Sequence, residues 1–177
     1  MDQTIILETE RLLLRSFVLD DLDALFAFYS DPDVIKYIPD APRTYEETKD
    51  ELEWFMHGHP EFPKLGLWAT IYKETEQFIG RCGLLPWTID GQNEVEVAFA
   101  LSRKYWGQGL ATEAAGALVQ YGFEKLRLSR LICLLDPQNQ PSINVATKLG
   151  MDFEKEGHDE KGPFLIYAIN KQASVYR

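Results

Sequence analysis

Tyr105-Trp106-Gly107-Gln108-Gly109-Leu110-Ala111-Thr112-Glu113 lies between a strand-like run, Glu94 to Leu101, and the longest helical pattern of the chain, Gly107 to about Leu126. Glycines at a helix start let the backbone approach a ligand closely and leave N–H groups free. The helix dipole adds a favourable potential for a phosphate there. A lone Gly-x-Gly is weak evidence of any particular ligand. A dinucleotide-binding turn needs a third glycine early in a βαβ unit, whereas position 112 is Thr and the motif lies mid-chain.

Working outward, the pattern alternates between helix and strand. Before the motif come a short apolar strand, Arg11-Leu12-Leu13-Leu14-Arg15, and a helix opened by Asp20-Asp21-Leu22, with Leu22, Leu25, Phe26 and Tyr29 at helical spacing. Asp31-Pro32 is expected to stop it. A second helix is predicted from Thr44, with Glu47 three residues on as in a capping box, to about Met56. Strand-like runs follow at Leu67–Tyr72, Phe78–Leu85 and Glu94–Leu101. After the motif's helix come a strand at Leu131–Leu135, a helix from Pro141 to Leu149 ended by Gly150, and strands near Phe153 and at Phe164–Ile169. This order excludes an eight-fold barrel or a doubly wound sheet and predicts a mixed α+β domain.

Composition narrows the function. The 177 residues are 45% hydrophobic and 26% charged, enough for one domain, residues 1–177, with a proper core. No apolar run reaches membrane-span length, and Met1-Asp2-Gln3 lacks the basic start of a secretory signal. Cys82 and Cys133 read as core residues in a reducing compartment, so a cytoplasmic location is expected. The net charge of −10 argues against unassisted binding to a nucleic-acid backbone. Met1 to Glu61 hold 15 acidic and 5 basic residues and the rest 13 of each, so the whole excess lies in the first third of the chain.

Lys104-Tyr105-Trp106-Gly107-Gln108-Gly109 resembles the pyrophosphate loop of the GNAT N-acetyltransferases, whose pattern is Gln/Arg-x-x-Gly-x-Gly/Ala. Lys104 departs from its first position, which costs little where the contacts are mostly backbone amides. Three further segments are similar to the ribosomal-protein alanine N-acetyltransferase branch: Thr9-Glu10-Arg11-Leu12-Leu13-Leu14-Arg15, Ser30-Asp31-Pro32-Asp33-Val34, and Asn139-Gln140-Pro141-Ser142 followed by Lys148-Leu149-Gly150. Four motifs in order, spanning nearly the whole chain, are far more specific than one.

The resemblance implies a central mixed, mostly antiparallel twisted sheet of about seven strands flanked by about four helices. It also implies acetyl-CoA as donor, an amine acceptor and no metal. The cofactor would be held by Phe99, Ala100 and Leu101 on the strand beside the pantetheine arm, by the loop Lys104, Tyr105, Trp106, Gly107, Gln108, Gly109, Leu110, Ala111 and Thr112, and by Asn139 and Ser142. On a period of two, Glu94, Glu96, Ala98 and Ala100 share one face of that strand, with small residues leaving room beside Glu96. A strand bulge, which the family has here, would shift this register.

Glu96 matches the family's general base. An alkylammonium is no nucleophile until it loses a proton; the alternatives are a solvated carboxylate or a counter-charge that binds the amine. Ser142 matches a serine near the sulfur, able to protonate the leaving thiolate, or else it caps its helix. The tyrosine that many relatives use as acid is replaced by Ala146. His57 and His59 lack a third metal ligand and read as loop residues. Trp54, Phe55 and Trp68 read as core or pocket wall. No nucleophile elbow appears. Two readings remain: an acetyltransferase acting by direct attack in a ternary complex, or an acyl-CoA-binding sensor without catalysis. The acceptor is expected to be cationic and the chain a monomer or homodimer.

Overall fold

A computed structural model describes residues 3–172; Met1 and Asp2, part of the stretch read against a secretory signal, lie outside them. Within that span the strands are β1 (Ile5–Glu8), β2 (Leu12–Arg15), β3 (Gly66–Tyr72), β4 (Gln77–Ile89), β5 (Gln92–Leu101), β6 (Arg130–Leu135), β7 (Asp152–Asp159) and β8 (Gly162–Asn170). The helices are α1 (Leu22–Tyr29), α2 (Pro32–Ile35), α3 (Tyr45–His57), α4 (Leu110–Glu124) and α5 (Gln140–Lys148). The strands form one sheet in the order β1-β2-β3-β4-β5-β6-β8-β7. Every neighbouring pair is antiparallel except β5 and β6. No helix among the described residues is long and apolar enough to cross a membrane.

The expected mixed, mostly antiparallel sheet is present, with one strand and one helix more than anticipated. The extra strand, β1, pairs with β2 at the sheet edge, and its four residues are too few to show a period. The extra helix, α2, grows out of the signal expected to end α1. Asp31 caps it, accepting a hydrogen bond from the Asp33 amide at 2.9 Å, and Pro32 takes the first turn, where a missing N–H costs nothing. The Thr44–Glu47 capping box opens α3 as expected. The hairpin β4–β5 runs further than its apolar pattern. Asp90 and Gly91 both have positive φ, 51° and 76°, the primed turn that continues the strand twist.

Two cores flank the sheet. On one face α4 and α5 bury Leu110, Ala114, Leu118 and Ala146 against Leu12, Leu14 and other strand residues. On the other, α1 and α3 bury Leu25, Phe28, Tyr29 and Leu52 against Ala69 and Ile71. Arg15 and Asp21 are both under a tenth exposed and pair through two 2.7 Å contacts, with the Val18 amide on the same carboxylate. That satisfied pair locks the entry to α1 onto β2.

Candidate active site

The parallel pair β5–β6 is where the sheet opens. Only Glu96 and Ile132 are in register between them, so the C-terminal half of β5, which contains Phe99, Ala100 and Leu101, has no partner residue on β6. Each strand then leads to a helix, β5 to α4 and β6 to α5. Both helix N-termini therefore follow the carboxyl ends of parallel strands, the usual place for a ligand in such sheets.

The loop after β5 has the form a pyrophosphate cradle needs. Gly107 and Gly109 have φ of 72° and 77°, which strongly favours glycine. Gly109 is the residue before α4, so the helix starts at Leu110 rather than at Gly107, and both glycines lie outside it. A Cβ built on Gly107 would meet no atom within 4 Å, and one on Gly109 only the Arg11 side chain at 3.7 Å. Lys104, Trp106 and Gln108 are exposed, and Ala111 and Thr112 are half-buried. Tyr105 and Leu110 turn their side chains into the core, leaving only backbone for a ligand; the Tyr105 hydroxyl reaches Gln77 at 3.1 Å. The Trp106 indole N–H donates to the Leu101 carbonyl at 2.6 Å, tying the loop to the end of β5.

Sequence reasoning missed what holds this loop in place. Glu113, in the first turn of α4, accepts hydrogen bonds from the Thr9 hydroxyl (2.5 Å), the Arg11 amide (2.9 Å) and Arg11 Nε (2.7 Å). Arg11 Nη1 also donates to the Gln108 carbonyl at 3.0 Å. Burial pushes the Glu113 carboxyl up, but these donors outweigh it and hold it below the usual range. The Thr9-Glu10-Arg11 segment thus anchors a loop about a hundred residues away.

Glu96 sits where β5 and β6 part. The β4–β5 register runs unbroken from Gly80–Leu101 to Ile89–Gln92, so the bulge that would have shifted β5 does not appear on this side. Val97 and Leu101 belong to the α4 face and Ala100 packs with the α1–α3 core, which places Glu96, Ala98 and Ala100 on the α1–α3 face. The Trp87 indole N–H donates to Glu96 Oε2 at 2.6 Å. Burial pushes the Glu96 carboxyl up to about 7, against the Trp87 hydrogen bond, the Arg81 charge and the Leu134 amide, which favour the ionised form. Glu96 still touches solvent, so a proton can leave it.

At the other wall, Asn139 caps α5, its Oδ1 accepting from the Ser142 amide at 3.3 Å. The capping role expected as the alternative for Ser142 therefore belongs to Asn139. The Ser142 side chain is half-buried and its hydroxyl makes no hydrogen bond among the described residues. Ala146 is fully buried, facing the core. Tyr37, just after α2, donates to the Gln138 carbonyl at 3.1 Å, linking that segment to the loop before α5. His57 is the last residue of α3 rather than a loop residue, its Nδ1 bonded to the Glu53 carbonyl, whereas His59 lies in the loop that follows and accepts from the Glu61 and Phe62 amides. Trp68 is core, whereas Trp54 is exposed. A hollow of about 390 Å³ beyond Glu94 holds no free charge, since Arg130 pairs with Glu94 and Glu154, and Lys155 with Asp90.

A GNAT acetyltransferase domain profile matches residues 11–152. The chain belongs to the GNAT acetyltransferase family. It is 37% identical over 152 residues to an uncharacterized N-acetyltransferase, p20, of Bacillus licheniformis, covering 85% of this chain and 83% of that one. Among solved structures it is similar to a GNAT-family acetyltransferase from Bacillus anthracis, with TM-score 0.79, 30% identity, and 92% and 96% of the two chains covered. A ribosomal-protein-S5-alanine acetyltransferase from Vibrio fischeri shares the fold at TM-score 0.75 and 17% identity, over 96% and 97%. As a GNAT acetyltransferase this protein uses acetyl-CoA as its donor, and the open, left-handed glycine loop before α4 fits the donor's pyrophosphate.

Proposed function

We propose that the protein transfers the acetyl group of acetyl-CoA to a primary amine by direct attack within a ternary complex. One observation carries the reading: Glu96, a carboxyl near neutrality, stands beside Ala98 and Ala100 where β5 and β6 separate. The pantetheine arm would lie between those strands, with Gly107–Ala111 and the free amide end of Asn139 holding the cofactor. The ammonium of the acceptor loses one proton to Glu96, directly or through water; the free amine attacks the thioester carbonyl, the C–S bond breaks, and the Ser142 hydroxyl protonates the departing thiolate and is restored by the second proton, which leaves the attacking nitrogen through water. Backbone N–H groups stabilise the developing oxyanion. Direct attack is favoured over an acyl-enzyme because both cysteines are poor nucleophiles. Burial pushes the Cys82 thiol up to about 11 and the Cys133 thiol further, and neither is exposed.

The acceptor we infer is cationic, a protein N-terminus rich in Lys or Arg or a small polyamine-like molecule. The acidic first third of the chain supports this, although Glu8, Asp33 and Asp40 are paired with Lys73, Arg103 and Lys161 from later segments. Glu46, Asp50 and Glu53 remain exposed on α3. Two buried free thiols suit work in a reducing cytoplasm. The test is kcat/KM for matched cationic and anionic acceptors over a salt series. A cationic preference that fades as salt rises supports the inference, because exposed charges are screened within about 8 Å at physiological salt. Faster turnover of the anionic acceptor at low salt ends it.

A further inference from the structure

Arg81 is a charged group that the reaction scheme leaves without a task. It lies on β4 opposite Ala100, on the strand face that also carries Glu96 opposite Leu85. Among the described residues it forms no ion pair within 4 Å, and its Nε atom is buried without a hydrogen-bond partner. Arg81 is half-buried, and a charge drawn partly out of solvent without a partner is costly, so a retained one calls for a reason. Its surroundings are also specific. The guanidinium carbon lies 5.6 Å from the centre of the Tyr29 ring, and the buried Tyr29 hydroxyl and Glu51 Oε2 lie close enough to act on each other without a well-formed hydrogen bond. Between Arg81 and Glu96 that face of the β4–β5 pair carries only Gly83, Ala98 and Ala100, none with a side chain longer than a methyl.

We propose that Arg81 is a positioning residue for acetyl transfer, an unpaired charge that Tyr29 and Glu51 hold at one end of the Ala98–Ala100 face so that its field acts on Glu96 at the other. The inference rests on Glu96 being the base. A direct ion pair would fix Glu96 as a spent, fully ionised carboxylate. A charge held at a distance offsets part of the burial penalty and leaves Glu96 able to both take and release a proton near neutrality. The same field pulls down the burial-raised Glu51 and Tyr29. The other groups facing Glu96 are accounted for: Trp87 on β4 hydrogen-bonds it, Glu94 on β5 is paired with Arg130 of β6, and the Cys133 thiol on β6 is neutral. At roughly 10 Å and an effective dielectric near 20, one unit charge is worth about one pH unit.

The test combines carbon-detected NMR titration of the Glu96 carboxyl with kcat/KM against pH, for the wild type, Arg81→Gln, Arg81→Lys and Glu51→Gln. Arg81→Gln should raise the Glu96 midpoint by about one pH unit and carry the acidic limb of kcat/KM with it, a loss of about tenfold below both limbs that recovers on the alkaline plateau. Arg81→Lys should stay near the wild type, and Glu51→Gln should lower the midpoint by relieving Arg81 of an opposing charge. An unmoved Glu96 midpoint in folded Arg81→Gln overturns the proposal. Should that variant not fold, an unmoved midpoint in Glu51→Gln does so. If the midpoint moves while the rate profile of Glu96→Gln matches the wild type, the field effect stands and the base assignment falls.

Discussion

Replacing Glu96 with Gln should make the protein slower and, above neutral pH, more stable. The Glu96 carboxyl is pushed from its ordinary 4.5 up to about 7 by burial. Each pH unit is worth about 1.36 kcal/mol, so ionising Glu96 in the folded state costs on the order of 3 kcal/mol, and its contact with solvent reduces that to about 2 kcal/mol. The sign follows from linkage. A carboxyl raised on folding contributes nothing adverse below its unfolded midpoint, and it erodes stability as pH climbs from about 4.5 to about 7. Gln removes the charge and keeps an oxygen to accept from Trp87. Denaturant unfolding should therefore find Glu96→Gln equal to the wild type near pH 4 and about 2 kcal/mol more stable near pH 8. Its kcat/KM should fall about 10²-fold at neutral pH and recover in part at alkaline pH, where more acceptor is already deprotonated. A stability difference that is the same at both pH values would refute the burial argument, and a wild-type rate profile would remove Glu96 from the proton transfer.

Gly107→Val and Gly109→Val should each abolish measurable acetyl-CoA binding, because a branched Cβ at positive φ both strains the loop and blocks backbone approach. Gly91→Val, at a similar φ in the β4–β5 turn, controls for the strain and should bind acetyl-CoA normally; unchanged affinity in folded loop variants would contradict the cradle. Ser142→Ala should lower kcat about tenfold with little change in acetyl-CoA affinity, a modest effect because a thiolate leaves at small cost unaided. An affinity loss at unchanged kcat would place the hydroxyl in binding instead.

What could be read from the sequence was whatever local chemistry dictates. Gly107 and Gly109 announce a backbone conformation, Thr44 and Glu47 a reciprocal cap, and the alternation through Glu96, Ala98 and Ala100 a strand face; each needs only neighbours a few residues away. Asp31-Pro32 carried two meanings, since residues that end one helix can start the next. Asp90-Gly91 was an available turn signal, and using it would have extended β4 and β5 to their observed lengths. The rest depends on distant contacts. Nothing local to Thr9 or Arg11 says that they grip Glu113, and nothing near Arg81 says that it meets Tyr29 from α1 and Glu51 from α3. The raised Glu96 carboxyl belongs to the same class, because burial is a property of the assembled sheet.

The central claim is that this chain catalyses acetyl transfer from acetyl-CoA to an amine. It is tested most directly by following free thiol release from acetyl-CoA across a panel of cationic peptides, polyamines and aminoglycosides, with product mass measured in parallel. The account predicts sustained thiol release that depends on one class of amine, matched by one acetyl group on the product and lost in Glu96→Gln. Tight acetyl-CoA binding without amine-dependent release from any member of the panel would contradict it and leave a sensor of acyl-CoA on the same fold.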